Sequence, residues 1–284
     1  MSISISPVEA GSATADPASP GGRRPSPALR SRLVSWAERL GALVIVLLLW
    51  TWFAVTKGAD ANFPTPLQAV HKLFDLVATS SYWSAVGETL LTAVIGFAIA
   101  AAIGIPVGMF IGMGRRTQLS TQFLVDFGRT IPVVALLPLA ILILNIGRTM
   151  AVFLIVFGAV WPLLVQSTYA VAQITLQSRQ VVRAFRITMR DRIRFVYAPS
   201  MMPFLMTGLR IAASISLLVA VTAEYLGRAP GLGVEMRDSG ETDPQATFVY
   251  MITAGVLGLL INIALVALQK RVLWWHPSQR RKAR

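Results

Sequence analysis

The chain has no cysteine, two histidines and only 13 acidic residues among its 284 positions. Without cysteine there is no disulfide framework, no thiolate metal site and no cysteine nucleophile. The histidines, His71 and His276, stand far apart, and neither belongs to the cluster of His, Asp, Glu or Ser that an intramembrane enzyme needs. No Gly-x-x-x-x-Gly-Lys-Ser/Thr phosphate loop occurs, so ATP chemistry would have to come from another chain. Acids are also absent from the middle of every long apolar run, whereas ion-coupled carriers place acids or broken polar helices near the midplane. An ion-coupled secondary transporter therefore stands as an alternative reading only.

What is present is apolar. Hydrophobic residues make up 55% and charged residues 14%, with a mean hydropathy of +0.63; this is the composition of a polytopic membrane protein with one membrane domain, residues 36–276. The net charge of +13 would suit nucleic acid if it covered one soluble face, but the cations cluster beside apolar segments and read as orientation instead. Residues 1–35 are rich in Ser, Pro, Gly and Ala and are expected to form a disordered cytoplasmic tail. A signal peptide would place its apolar core within about the first 15 to 30 residues, and here the first apolar run begins near Leu40.

Crossing about 30 Å of hydrocarbon takes roughly 20 apolar residues. Six stretches of that order recur, centred on 40–56, 89–112, 130–146, 149–172, 201–226 and 247–268. Pro132 and Pro138 should kink the third. With the N-terminus inside, 20 of the 26 Lys and Arg residues fall on the cytoplasmic side and five outside, Arg210 making up the total. The C-terminus then returns to the cytoplasm, where Trp274, Trp275 and the basic tail 277–284 can hold the headgroups. Between the first two spans, Thr65 and Pro66 open an amphipathic helix expected to lie at the outer interface, with Leu67, Val70, Leu73, Phe74 and Val77 on one face. His71 and Lys72 lie on or near its polar side. Gly104, Gly108, Gly112 and Gly114 mark close helix packing on the second span.

The segment from Gln180 to Leu226 organises the rest. A loop of about 173–200 carries Arg179, Arg183, Arg186, Arg190, Arg192 and Arg194 against one acid, Asp191, and runs through Pro199 and Pro203 into a long apolar helix. Charge alone is the ordinary signal of a cytoplasmic loop. The interleaved Val181, Val182, Phe185, Ile193, Phe195 and Val196 suit two short helices entering a partner's groove.

The loop and helix are similar to the permease subunits of bacterial ABC importers, in particular the nitrate/sulfonate/taurine group. That family carries a Glu-Ala-Ala triplet, a glycine four positions on and a proline thirteen further. Counting back from Pro199 puts the triplet on Gln180, Val181 and Val182 and the glycine on Arg186, so the first half of the motif has decayed. PSMMPFLMTGLRIA (199–212), AEYLG (223–227) and GLG (231–233) stand close to the pattern, with FPTP, GIPVG, RTIPVVALLPL and GAVWPLL as further islands in order from about Phe63 to Pro277. The resemblance implies an all-α membrane protein with six transmembrane helices, a type I ABC importer permease fold in the bacterial inner membrane. Its implied partners are ABC ATPase subunits, an extracytoplasmic binding protein and a second permease. The chain would need no cofactor of its own. The implied cargo is a small, mainly anionic solute.

On this resemblance Gln180, Val181, Val182, Arg183, Phe185, Arg186, Arg190 and Pro199 form the ATPase-coupling loop. Arg at the glycine position would cost roughly 1 kcal/mol or more if a left-handed turn were kept; the turn is therefore expected to have changed. Loss of the carboxylate suggests pairing with a second permease whose triplet is intact, against the family's usual homodimer. Two readings stand for Arg210, a gate or pathway residue and a side chain that snorkels to the inner headgroups. Two also stand for Glu224, fourteen residues on: a pathway residue, and a helix-end carboxylate bonded to the backbone of the GRAPGLG turn.

Overall fold

The computed structural model describes residues 27–56 and 63–274. The tail 1–26, Lys57 with the loop to 62, and Trp275, His276 and the tail 277–284 lie outside the described residues. Among those described, every regular element is helical. Two compact units divide the chain, Met1–Trp52 and Phe53–Arg284.

Helix α1 (Pro27–Thr56) begins in the first unit. Residues 27–35, expected in the tail, are its first turns, a correction that rests on local propensity. Pro27 opens the helix with its φ already helical, and the next thirteen positions hold neither glycine nor proline. Its apolar section, Leu40–Thr56, is shorter than any of the helices long and apolar enough to cross a membrane.

The second unit comprises α2 (Pro66–Val77), α3 (Ser80–Met113), α4 (Arg115–Thr130), a 3₁₀ turn (Val133–Leu136), α5 (Leu137–Leu144), α6 (Arg148–Ala172), α7 (Leu176–Ala184), α8 (Met189–Asp191), a π turn (Arg192–Tyr197), α9 (Ala198–Gly227), α10 (Leu232–Asp238) and α11 (Pro244–Val272). Four helices, α3, α6, α9 and α11, are long and apolar enough to cross a membrane. A fifth span is available if α4 and the segment Val133–Leu144 count as one, bent by 81°. The expected third span, 130–146, is corrected accordingly. Thr130 ends α4, Pro132 caps the 3₁₀ turn and Pro138 falls in the first turn of α5. A proline lacks the N–H of a helix interior and is tolerated in a first turn, so the chain breaks where each proline can open a new segment. With the bent pair and the apolar part of α1, helix occupies most of each of the six apolar stretches, the third being interrupted at Ile131 and Pro132 and ending at Leu144.

Helices α3, α6 and α9 form the centre. A Cβ at Gly108 or Gly112 would collide with the α6 backbone at Leu164 or Thr168, and the approach lets Thr168 Oγ1 donate to the Gly108 carbonyl at 3.0 Å. Small residues permit such backbone contact between apolar helices. Gly114 instead separates α3 from α4. The fully buried Met150, Ala151, Leu154 and Ile155 of α6 pack with Ala220 and Ala223 of α9.

Thr65 caps α2, as expected, and the Gln68 side chain accepts in return from the Thr65 N–H, a bond the sequence reading did not include. The apolar residues of α2 divide, however: Leu73 and Val77 pack against Tyr82, Leu232 and Tyr250, whereas Leu67, Val70 and Phe74 stay exposed. Lys72 pairs with Asp243, the N-cap of α11, at 2.5 Å.

Candidate functional site

Two capped turns build the segment between α6 and α9. Thr175 accepts from the Ser178 N–H at 3.2 Å and starts α7. The helix closes with two backbone bonds, Arg186 N–H to the Arg183 carbonyl and Ile187 N–H to the Val182 carbonyl, each 3.2 Å. This is the closure in which the residue after the cap adopts the left-handed conformation. Arg186 occupies that place with φ 50°. The expectation that the turn had changed is thereby corrected: the geometry suited to glycine is kept with arginine in it. Thr188 then caps α8, accepting from the Asp191 N–H and donating to its carboxylate at 2.8 Å. The π turn leads into α9, whose first turn includes a half-buried Pro199.

Burial sorts the loop residues into two sets. Val182 is 1% exposed, beside the inward cavity described below. Val181, Phe185, Met189, Ile193 and Phe195 are exposed, Phe185 to 77%. Gln180, Arg183, Arg186, Arg190 and Arg194 share the outer surface, and the Arg194 guanidinium lies 5.4 Å from the Phe195 ring centre. None of these arginines has a carboxylate partner among the described ion pairs. The surface is apolar and cationic at once.

Along α9, Arg210, Ser214, Leu218 and Tyr225 are exposed. At 100° per residue they occupy a stripe about 80° wide. Glu224 falls about 40° on the other side of Arg210, with the buried Ala213, Leu217 and Ala220. Its side chain is fully buried. Oε2 accepts from Thr89 Oγ1 at 2.8 Å and from the Gly233 N–H at 3.0 Å, while Thr89 Oγ1 accepts from the Leu232 N–H at 2.8 Å. Gly231, at φ 148°, leaves the volume a Cβ would fill to the Glu224 carboxyl. The helix-end reading describes this environment, while Arg210 and Glu224 do not share a surface.

Several polar features had no role in the sequence reading. Glu88 at the start of α3 and Arg148 at the start of α6 form an ion pair. A cleft of about 220 Å³ between α4 and α6 is lined by Gln118, Thr121, Gln122, Asp126, Arg129 and Tyr169. The helical spacing of Gln118, Gln122 and Arg129 is a signal that could have revealed it. Arg129, counted with the inner cations, pairs with Asp126 at 3.0 Å at the far end of α4 from Arg115.

The family model described as "Binding-protein-dependent transport system inner membrane component" matches residues 104–273. The nitrate import permease protein NrtB of Synechocystis sp. is 26% identical over 242 residues, covering 82% of this chain and 88% of the relative. The taurine transport system permease protein TauC of Escherichia coli is 26% identical, covering 87% and 96%. The putative aliphatic sulfonates transport permease protein SsuC of Bacillus subtilis is 24% identical, covering 86% and 89%. Among solved structures, an inward-facing MetNI methionine ABC transporter aligns with a TM-score of 0.59 at 20% identity, over 66% of this chain and 94% of that one.

Proposed function

The chain belongs to the family of binding-protein-dependent transport system inner membrane components, and from that membership we propose how its parts divide the work of import. It is a multi-pass permease subunit of an ABC importer, not an enzyme, and operates with ATPase and substrate-binding subunits. The loop between α6 and α9 is the surface that enters the ATPase. The observation that carries this assignment is its two-sidedness: Val182 is buried toward the helix bundle, while Val181, Phe185, Arg186, Arg190 and Arg194 are exposed. Exposed aromatic and arginine side chains are the types that dominate binding energy at interfaces.

In this scheme the N-terminus, the loop and the C-terminus are cytoplasmic, as the distribution of Lys and Arg favours. ATP-driven closure of two ATPase subunits draws two loops together and turns the bundle from inward-open to outward-open. The driving energy is the greater affinity of ATP for the closed pair. The exposed stripe of α9 lines the path with a second permease, and Arg210 contributes positive charge to it. The cargo is a small anion of the nitrate or sulfonate kind, or taurine; the import names of the relatives and Arg210 support this class. Selection among such solutes rests mainly with the binding protein.

The retained turn at Arg186 favours two identical copies, each presenting the same loop. Gln180, where the family has a carboxylate, favours the competing arrangement with a second, intact permease. Reconstitution of this chain with its ATPase and binding protein in proteoliposomes decides both points. ATP-driven uptake of nitrate, taurine or an alkylsulfonate is expected without another permease. Uptake requiring an ion gradient instead of ATP would overturn the assignment, and a requirement for a second permease would establish the heterodimer. Cysteine introduced at Ser178 should react with an impermeant reagent only after cells are opened.

A further inference from the structure

We propose that the cavity under the arginine loop binds the phosphodiester headgroup of an anionic phospholipid. The cavity holds about 350 Å³, within the range of roughly 300–1,000 Å³ common for ligand sites. One wall is apolar and methionine-rich, from Met109 and Met113 of α3 and Met201 of α9. The other bears Arg183 of α7 and Arg192 of the π turn, and no acidic residue lines the space.

Arg192 has capacity left for an anion. Its Nε is shut off from solvent and has no protein partner, and Nη2 makes one long bond, 3.5 Å, to the Ile187 carbonyl. A buried guanidinium donor without an acceptor is costly, and the planar fork of Arg matches a phosphate with two parallel bonds. Asp191 is held by Thr188 through its Oδ2 and its N–H, and forms no described ion pair with either arginine.

The apolar wall decides between a lipid and a free anion. Methionine side chains adapt to irregular apolar chains; Met109 and Met201 pack inward, while Met113, 65% exposed at the end of α3, leaves the apolar wall open to an acyl chain. Basic pockets of this kind between transmembrane helices are headgroup sites. That the cavity meets the cytoplasmic leaflet rests on the orientation proposed above; binding itself does not. A lipid seated here would join α7 and the π turn to α3 and α9, making the stiffness of the loop depend on anionic lipid.

The test is lipid binding to the full-length chain in neutral detergent, read by native mass spectrometry and titration without the ATPase. Its outcome is therefore independent of whether the importer assignment survives. Phosphatidylglycerol is expected to remain bound, and phosphatidylcholine with the same acyl chains to bind far more weakly. The double variant Arg183→Gln/Arg192→Gln should weaken phosphatidylglycerol about 25-fold, roughly fivefold for each cation lost. The double Arg→Lys variant, which restores both charges without the paired bonds of the guanidinium fork, should recover part of that loss, whereas a folding defect would recover none. Met109→Trp, which fills the apolar side and leaves both arginines, should also exclude the lipid. Equal binding of the two lipids, or tight phosphatidylglycerol binding by the Gln variant, would overturn the proposal. So would competition by inorganic phosphate or methanesulfonate at concentrations similar to the lipid's, which would make the site one for free anions. Arginine substitutions that weaken ATPase assembly without changing lipid binding would assign the side chains to the protein interface and likewise overturn it.

Discussion

The two ends of α9 are built on opposite principles. At its C-terminal end the Glu224 carboxylate is enclosed: Thr89 and Gly233 donate to it, Gly231 makes room for it, and Leu232 donates to the hydroxyl that supports it. At its N-terminal end, cations and large apolar side chains stand exposed around one buried anchor, Val182. One end bonds Glu224 Oε2 twice inside the chain and leaves only the buried Oε1 without a described partner; the other leaves its groups for another molecule. The difference teaches which end is framework and which is interface, since groups already bonded inside the chain have little to offer a partner.

The sharpest way to break this comparison is at the enclosed end. Glu224→Ala strands the Thr89 hydroxyl and the Gly233 N–H, and two buried unsatisfied donors at about 1–3 kcal/mol each give an expected loss of roughly 3 kcal/mol. Gly231→Ala should lose a similar amount, because a side chain there meets both positive φ and the carboxyl. The two losses should not add. In the Glu224→Ala background the Gly231→Ala clash disappears, so a double-mutant cycle on thermal unfolding in detergent should give a coupling of about 1–2 kcal/mol. Simple additivity would mean that the carboxyl and the turn are independent, and that the closed end is not one unit.

At the open end the same measurement should move little while association moves more. Phe185→Ala removes a side chain that is 77% exposed, so the melting temperature of the permease should hardly change. ATPase affinity should fall about tenfold or more, as expected for an interfacial aromatic, measured by titrating the ATPase onto the permease in nanodiscs. An unchanged affinity would remove Phe185 from the interface. Arg186→Gly should act in the opposite sense. Relief of the left-handed strain is worth about 1 kcal/mol, seen as slower amide exchange across α7 once the turn is unstrained.

Much of the loop was legible because its signals are local. Its length, its arginines and its interleaved apolar residues can all be read within some twenty positions, and the structure folds them into short capped helical segments. The error at Arg186 came from weighing one residue's strain alone. Two backbone bonds and the buried Val182 hold the turn, and together they outweigh a cost of about 1 kcal/mol. The enclosed end was legible only in part. AEYLG and GLG announce a turn and suggest its bond to Glu224, but Thr89 lies 135 residues away from Glu224, and nothing local identifies that partner. The bent third span was half legible: the prolines mark a break, while an 81° change of direction is set by packing that periodicity does not encode.

Between the enclosed and exposed extremes lies a third kind of contact, the Lys72–Asp243 pair that ties α2 to the start of α11. Partial burial pushes the Asp243 carboxyl pKa up, but the hydrogen bond and charge of Lys72 and the N–H groups of Ala246 and Gln245 more than offset it, and the net direction is downward. A carboxyl depressed in the folded state adds stability above its unfolded pKa, near 4 for aspartate. That stability is lost as pH falls from there through the lower folded value. With both side chains between a quarter and two-fifths exposed, solvent screening limits the effect to less than about 1 kcal/mol. Asp243→Asn keeps a good N-cap for α11 while removing the charge, so it isolates the ion pair from the cap. The variant should lose only a few tenths of a kcal/mol at pH 7, and the extra destabilisation of the native chain on acidification below about pH 4 should be absent from it. Thermal unfolding of both proteins across pH 2.5 to 7 measures the difference. Parallel profiles would show that the pair holds α2 by geometry without contributing charge-dependent stability, leaving only the enclosed carboxylate and the open loop as distinct designs.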